Sequence, residues 1–447
     1  MTDIRVRIGV EARSRAGSVG DGTAVAAGVV LVVAAAVVGR LLLAGGANLL
    51  LPFPPLPAQW LPHVGPGTPV AVVTAIAVAG WGPSLAATLP WRRLLPMAWM
   101  TATVWTLALA LVDGWQRGVV ERLSSGEEYL HDVPRAAGVR EMLATFADHI
   151  LTDQPVHWTT HVGAHPPGAF LVYVVLDRIG LGGGGATGVV TVLVGASACA
   201  AVAVTLRALG AEDVARAALP FGVLLPGAVW VGVSADGMFA AVLAWGVALL
   251  AVGATGRGVR ADTAAVTGGA LLGFTLYLSY GLALGLFLPA AVLVVTRRWR
   301  AAVLAGAGAA AVVGAFTGAG FWWFTGFSHV RVIYAASIAA SRPYSYFVWA
   351  NLAAVSFAVG PAVWAGMRRA AATRTLPGPA ALLVLAALAA VVVADLTGLS
   401  KAEVERIWLP FAVWLVVPCA LLPRPRIWLA VQALLALAVN HLLLTVW

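Results

Sequence analysis

The chain has 447 residues, 61% of them hydrophobic and 11% charged, with a mean hydropathy of +0.91. A soluble domain carries about a quarter charged residues, so there is too little polar material here to coat a water-facing surface. The composition excludes an ordinary soluble domain and predicts an all-α polytopic membrane protein, and the net charge of +9 sits in small arginine clusters between apolar runs, as a topology signal does and a nucleic-acid surface does not.

The N-terminus, Met1 to about Asp21, is polar and arginine-bearing, and the apolar run after it is long enough to span and carries no cleavage site. It reads as a retained first helix with a cytoplasmic N-terminus. At about 20 apolar residues per span, the predicted spans are 24–44, 69–88, 96–112, 186–207, 215–232, 237–254, 263–280, 281–296, 301–320, 347–366, 378–397, 407–422 and 427–446, about thirteen in all. Cys199 and Cys419 fall inside apolar runs and read as small core residues, not a disulfide. No separate soluble domain is expected within 1–447.

Basic clusters set the sides. Arg92-Arg93, Arg207 with Arg216, Arg257 with Arg260, Arg297-Arg298-Trp299-Arg300, Arg368-Arg369 with Arg374, and Arg424 with Arg426 are assigned to the cytoplasm of a plasma-membrane protein. One apolar stretch, Pro166 to Ile179, is about 14 residues and about 21 Å as a helix, short of a hydrocarbon core of about 30 Å. Counted as a span, it would put Arg257, Arg297 and Arg368 outside. Counted as an interfacial or re-entrant helix, it leaves every cluster inside, and that assignment is adopted.

The largest outer segment is then Asp113 to Gly185, longer than an ordinary connection and therefore expected to be functional. It holds nine of the nineteen acids and five of the eight histidines. Smaller outer segments are Asn48 to Gly67, the turn at Ser234-Ala235-Asp236, Phe321 to Tyr346, and Ser400 to Arg406. The inner loops are short, and no GxxxxGK[ST] run exists to cradle a nucleotide phosphate.

Within the outer segment, Ser125-Gly126-Glu127-Glu128-Tyr129-Leu130-His131-Asp132 packs three carboxylates into six positions. A carboxylate near a low-dielectric boundary and close to like charge has a raised pKa, which suits a general base. A solvated acidic loop would look the same, and spacing does not separate the two. Arg140 to Phe146 follows with an amphipathic helical pattern, then His157-Trp158-Thr159-Thr160-His161-Val162-Gly163-Ala164-His165-Pro166-Pro167-Gly168. The prolines suit a helix start, since a first-turn residue needs no amide donor. His161 and His165 stand four apart, but Gly163 and the prolines oppose a helical metal pair, and no Cys or acidic ligand has matching spacing. Two readings remain for these histidines, hydrogen bonding to a phosphate or sugar and structural packing.

Taken together, Glu127-Glu128-Tyr129 near the start of the loop and His165-Pro166-Pro167-Gly168 near its end resemble the lipid-phosphate-sugar-dependent glycosyltransferases of the GT-C superfamily. That group carries an Asp/Glu early in the loop and a [KH]PP motif late in it. Ser234-Ala235-Asp236-Gly237-Met238-Phe239-Ala240 is similar to the outer-facing Asp that opens a helix in the same group. The resemblance covers roughly 113–255. Within it, actinobacterial envelope enzymes, the mycobacterial methylthioxylosyltransferase group above all, are the nearest in character, and the near-absence of lysine (Lys401 alone) fits GC-rich coding. The resemblance implies a polyprenyl-phosphate sugar donor, an envelope polysaccharide or lipoarabinomannan-type lipoglycan acceptor, and inverting transfer without a covalent intermediate. Glu128 is the first candidate base, then Asp132 or Glu127. In many members the acidic loop follows the first helix, whereas two further helices precede it here, so Asp113 at the end of the third span stands as a rival.

The remaining outer-face cations suit such a donor. Arg342 lies among Tyr344 and Tyr346, and Lys401 and Arg406 lie just before a span; with His161 and His165 they are the candidate phosphate ligands, while Asp236, Tyr129, Trp158 and Tyr344 are candidates for other roles. A snorkelling Arg406, or its internal ion pair with Glu403 or Glu405, accounts for that residue equally well. No cofactor is called for, although a divalent ion would be compatible with the chemistry. A lipid or glycan flippase and a non-catalytic envelope scaffold are the alternatives. Few charges fall within spans and no internal repeat is evident, which weighs against a transporter.

Overall fold

The computed structural model describes residues 2–136 and 138–446, with backbone alone for residues 2–16 and 18. The first helix, α1 (Thr2–Ala44), is followed by β1 (Ala58–Trp60), α2 (Thr68–Thr88) and α3 (Trp91–Ala110). The long loop then carries four short helices, α4 (Tyr129–Asp132), α5 (Val139–Thr145), α6 (Thr160–Ala164) and α7 (Pro167–Leu176). Next come α8 (Gly184–Ala196) and α9 (Ala198–Ala208), α10 (Glu212–Val223), α11 (Ala228–Val231), α12 (Ala235–Thr255), α13 (Val259–Leu278), α14 (Phe287–Thr296), α15 (Trp299–Gly318) and α16 (Trp323–Ala336). The chain closes with α17 (Tyr344–Val359), α18 (Pro361–Thr373), α19 (Gly378–Leu396), α20 (Val404–Ile407), α21 (Leu409–Ala412), α22 (Pro425–Leu442) and β2 (Leu443–Thr445). β1 and β2 form one antiparallel pair, with Ala58 opposite Thr445 and Trp60 opposite Leu443.

Eight helices among the described residues are long and apolar enough to cross a membrane, or nine if the bent pair α17 and α18 is one span, fewer than the thirteen expected. Breaks account for much of the difference. The expected span 215–232 stops at Leu224, before Pro226, and resumes only as the four-residue α11. The expected span 347–366 turns through 104° where Gly360, at φ 78°, precedes Pro361. Residues 281–296 open as a 3-10 stretch before α14, and 407–422 are short turns containing Pro410 and Pro418. Proline removes an amide donor and disfavours helix in the residue before it, so an apolar run containing one reads as a span by hydropathy alone.

The packing centre is α12. Of its most apolar 18 residues 72% are buried, against 17% for α1 and 22% for α2. Its 21 residues rise about 31 Å, close to a hydrocarbon thickness. The loop lies at the end where α12 begins, and every basic cluster named above lies at the other. At the loop end, Phe321 meets Phe146, His329 Nδ1–H donates to the Ala147 carbonyl, and Arg342 donates to the carbonyls of Leu49 and Lys401. At the arginine end, Arg216 donates to the Leu89 carbonyl, Arg300 pairs with Asp262, and Arg369 pairs with Asp21.

Helix α7 is the segment that positions the histidines. Ten residues rise about 15 Å, too short to cross. It is wedged beneath the loop, with Phe170 and Tyr173 wholly buried, and Gly168 lies against α13 so closely that a Cβ there would stand 2.6 Å from the Tyr277 carbonyl oxygen. Gly168→Val is therefore expected to cost about 1–3 kcal/mol by overpacking, read as a lower melting temperature of the purified protein. Gly126→Ala, where an added Cβ meets nothing within 4 Å, should leave that temperature unchanged.

Candidate functional site

The site is assembled from the loop and from two distant helix starts. Ser234 caps α12 by accepting from the Gly237 amide, which sets Asp236 in the first turn, where the helix dipole favours a negative charge. From the far side comes α20. Ala402 and Glu403 both adopt left-handed backbone, at φ 72° and 62°, and this reverses the chain so that Glu403 and Arg406 project together. Arg406 Nη1 donates to Asp236 at 2.7 Å and Nη2 to Glu403 at 3.1 Å. Asp236 is 5% exposed and Arg406 6%. Although burial opposes its charge, Asp236, Glu403 and Glu128 hold the Arg406 guanidinium above its ordinary pKa.

The loop supplies the rest. His161 donates its backbone amide to the Glu127 carbonyl at 3.0 Å, and its Nδ1 lies 3.0 Å from that same carbonyl and 3.3 Å from Glu128 Oε1. His165 Nδ1–H donates to the His161 carbonyl at 2.8 Å and lies 3.0 Å from the Tyr129 hydroxyl. Tyr129 packs against Tyr173 of α7, with ring centres 4.9 Å apart, and His165 packs edge-on to Phe239, one turn beyond Asp236 on α12.

Burial dominates the electrostatics. Glu128, 3% exposed, is pushed up to about 7, chiefly by desolvation; Arg406 draws it down, while Asp236 and Glu127 push it up. His161 is pushed down to about 3 by burial and by Arg406, and His165 is lowered by burial, so both are neutral at neutral pH. Glu405, beside Arg406 and wholly buried, is pushed up to about 8 by burial, and neither of its carboxyl oxygens meets a hydrogen-bond partner. A neutral carboxylic acid beside a buried ion pair is the consequence.

The other predicted residues fall elsewhere. Asp132 is buried and committed to the loop, accepting from Arg135 Nη1 at 2.7 Å, the Thr159 amide at 2.8 Å and the Thr159 hydroxyl at 3.0 Å. Glu127 is exposed, and its backbone carbonyl makes the loop contact. Asp113 does not join the cluster: Arg122 at 2.8 Å, His63 at 2.8 Å and Arg117 at 3.6 Å enclose it, and Arg122 also donates to the Val446 carbonyl, tying the loop to the end of β2. Trp158 is buried, donating to the Phe146 carbonyl under the Arg135 guanidinium. Lys401 Nζ donates to the carbonyls of Ala340 and Arg342, and Tyr344 donates to Leu396 at the exposed edge. Glu403, considered from sequence only as an ion-pair partner, belongs to the cluster, and Tyr173 joins it with no sequence signal beyond being the one polar ring in an apolar helix.

Beside the cluster lies a cavity of about 870 Å³. Glu127, Asp132, Arg135, His157 and Thr160 give it a polar wall, Val330, Ile333 and Ile338 an apolar one, and Arg342 and Glu403 close it near the ion pair. Among the described residues no group of three or more His, Cys, Asp or Glu side chains is arranged to hold a metal ion.

No family model and no curated protein matches the chain. Among solved structures it is similar to the crystal structure of ArnT from Cupriavidus metallidurans in the apo state, at 19% identity and a TM-score of 0.42, over 73% of this chain. The chain spans 59% of the length of that one.

The buried pair makes a stability test. Asp236→Asn leaves the Arg406 charge with Glu403 alone, and removing one partner of a buried pair costs about 3–5 kcal/mol. The double variant Asp236→Asn/Arg406→Gln should recover a large part of that loss in thermal unfolding, because no uncompensated charge remains.

Proposed function

We propose that the protein is a multi-pass membrane glycosyltransferase of the GT-C kind. It moves a sugar from a polyprenyl-phosphate donor to an envelope polysaccharide or lipoglycan, of lipoarabinomannan type, on the extracytoplasmic face, with residues 113–185 as the catalytic loop. The observation that carries this reading is Glu128. Of the four carboxylates weighed from sequence, it alone is buried, free of a dedicated cationic clamp, and poised near neutrality beside a cavity with one polar and one apolar wall. The GT-C-like motifs at Glu127-Glu128-Tyr129, His165-Pro166-Pro167 and Asp236 converge on the same cluster. The sidedness follows from the charges: the clusters lie at the end of α12 opposite Asp236, and arginine-rich ends are cytoplasmic.

In this reading the ionised Glu128 takes the proton of an acceptor hydroxyl as that oxygen attacks the anomeric carbon. The bond from that carbon to the phosphate oxygen breaks, its electron pair leaves on polyprenyl phosphate, and the configuration inverts. His161, neutral and donating its Nδ1–H to the Glu127 carbonyl, lies 3.3 Å from the Glu128 carboxylate and confines it. Arg406 holds Asp236 and Glu403 and, through its charge, keeps Glu128 from rising further. A phosphate could reach Arg406 only by displacing one of those carboxylates, so the phosphate contact falls to Arg342, on the cavity wall, with Lys401 behind it.

Reconstituted protein supplied with a polyprenyl-phosphate sugar and a lipoglycan acceptor is expected to yield extended glycan and free polyprenyl phosphate. No turnover would favour the flippase or scaffold readings. Glu128→Gln should lower the rate by about 10²–10⁴-fold with unchanged melting temperature, and Glu127→Gln should leave most activity. Because the base must be ionised, the wild-type rate should fall as pH drops below about 7, the pKa of Glu128. A limb in the ordinary carboxylate range would remove Glu128 from the role.

A further inference from the structure

At the far end of α12 from the cluster, the turn into α13 and the start of α15 enclose a hollow of about 220 Å³. Its interior is walled by small or apolar groups, Gly253, Ala254, Ala261, Ala265 and Leu304 among them, and its rim carries Arg257, Arg298 and Arg300. Arg300 is spent on Asp262, with two hydrogen bonds of 3.0 and 2.8 Å. Arg257 and Arg298 are exposed and their side chains make no hydrogen bond or ion pair among the described residues, and the same holds for the side chains of their neighbours Arg260 and Arg297. Elsewhere at this end, arginines near a carboxylate or a carbonyl are taken up: Arg216 by Glu212 and Leu89, Arg369 by Asp21, Arg207 by Glu212.

We infer that this hollow binds the phosphate of an anionic phospholipid in the membrane leaflet at the arginine-bearing end. Arginine's planar fork matches phosphate oxygens, and a basic recess between membrane helices suits a lipid head group. An apolar recess under a cationic rim fits a molecule with a charged head and acyl chains better than it fits free phosphate. The surface beside the rim agrees, since Val259 and Trp299 are 80% and 77% exposed there, and tryptophan belongs at the head-group level. The bound lipid would add a second tie between α13 and α15, which Arg300 and Asp262 already bridge.

The test is native mass spectrometry of the full-length protein in detergent, supplied in parallel with phosphatidylglycerol, phosphatidylcholine of the same chains, and inorganic phosphate. Phosphatidylglycerol should be retained over phosphatidylcholine. R257Q/R298Q should weaken that retention roughly 30-fold, which is two interfacial arginines at about 1 kcal/mol each and about 1.4 kcal/mol per tenfold, while R92Q/R93Q should leave it intact. Equal retention of the two lipids, equal loss in both double variants, or binding of inorganic phosphate with no lipid retained would each overturn it. If R257Q/R298Q fails to fold, R257K/R298K, which keeps charge but not the fork, is expected to weaken retention by a smaller factor, and no change would count against the site.

Discussion

The ion pair between Asp236 and Arg406 organises the candidate site of this molecule. The two residues are 170 positions apart, on the first turn of α12 and on a four-residue helix reached through two left-handed residues. Withdrawing two charges from water is costly, and their attraction offsets that cost only with good geometry and further hydrogen bonds. Here the α12 dipole and Glu403 supply the additional support. The enclosure that surrounds the pair also buries Glu128 and Glu405, which therefore hold their protons to higher pH than exposed carboxylates do, while the Arg406 charge draws both part of the way back.

The same pair explains why the loop matters. Glu128 is brought to Arg406 and Asp236 because residues 127–136 and 146–165 are knitted to each other, through Asp132 to Thr159, Arg135 to the His157 carbonyl, and His161 to the Glu127 carbonyl. Asp132 thus serves the site by fixing the loop, and Asp113 does so from the other edge by tying it to the C-terminal strand. α7 wedges the far side against α13 through Gly168. A carboxylate poised near neutrality follows from this scaffold, since it is the enclosure that removes water from Glu128.

Much of this was legible in the sequence. Hydropathy identified the membrane class, the arginine clusters sorted themselves to one end of the bundle, and the short apolar stretch after His165 did prove too short to cross. Motif spacing singled out Glu128, His161, His165, Tyr129 and Asp236, and the scarcity of outer-face cations singled out Arg406; the fold gathers the six into one cluster. Span counting failed where Gly360-Pro361, Pro226 and the prolines of 409–421 interrupt apolar runs, because hydropathy is blind to backbone donors. The division of labour among Glu127, Glu128, Asp132 and Asp113 was not legible either, because it depends on which carboxylate receives an arginine, a histidine or an amide, and those partners lie up to 50 positions away in the chain.

The excess of positive charge also acquires a second meaning. At the end away from the site Arg216, Arg300 and Arg369 hold helix ends or acidic partners, whereas at the rim of the hollow between α12, α13 and α15 the Arg257 and Arg298 side chains have no such partner among the described residues, and that charge faces the membrane surface.

The most direct test of the account is an infrared titration of the Glu128 carboxyl, taken as the difference between wild type and Glu128→Gln. A midpoint near 7, moving higher when Arg406 and Asp236 are neutralised in the double variant only to the extent that the Arg406 charge outweighs that of Asp236, is the expected result. A midpoint between about 4 and 5, the range of an exposed glutamate, would contradict it.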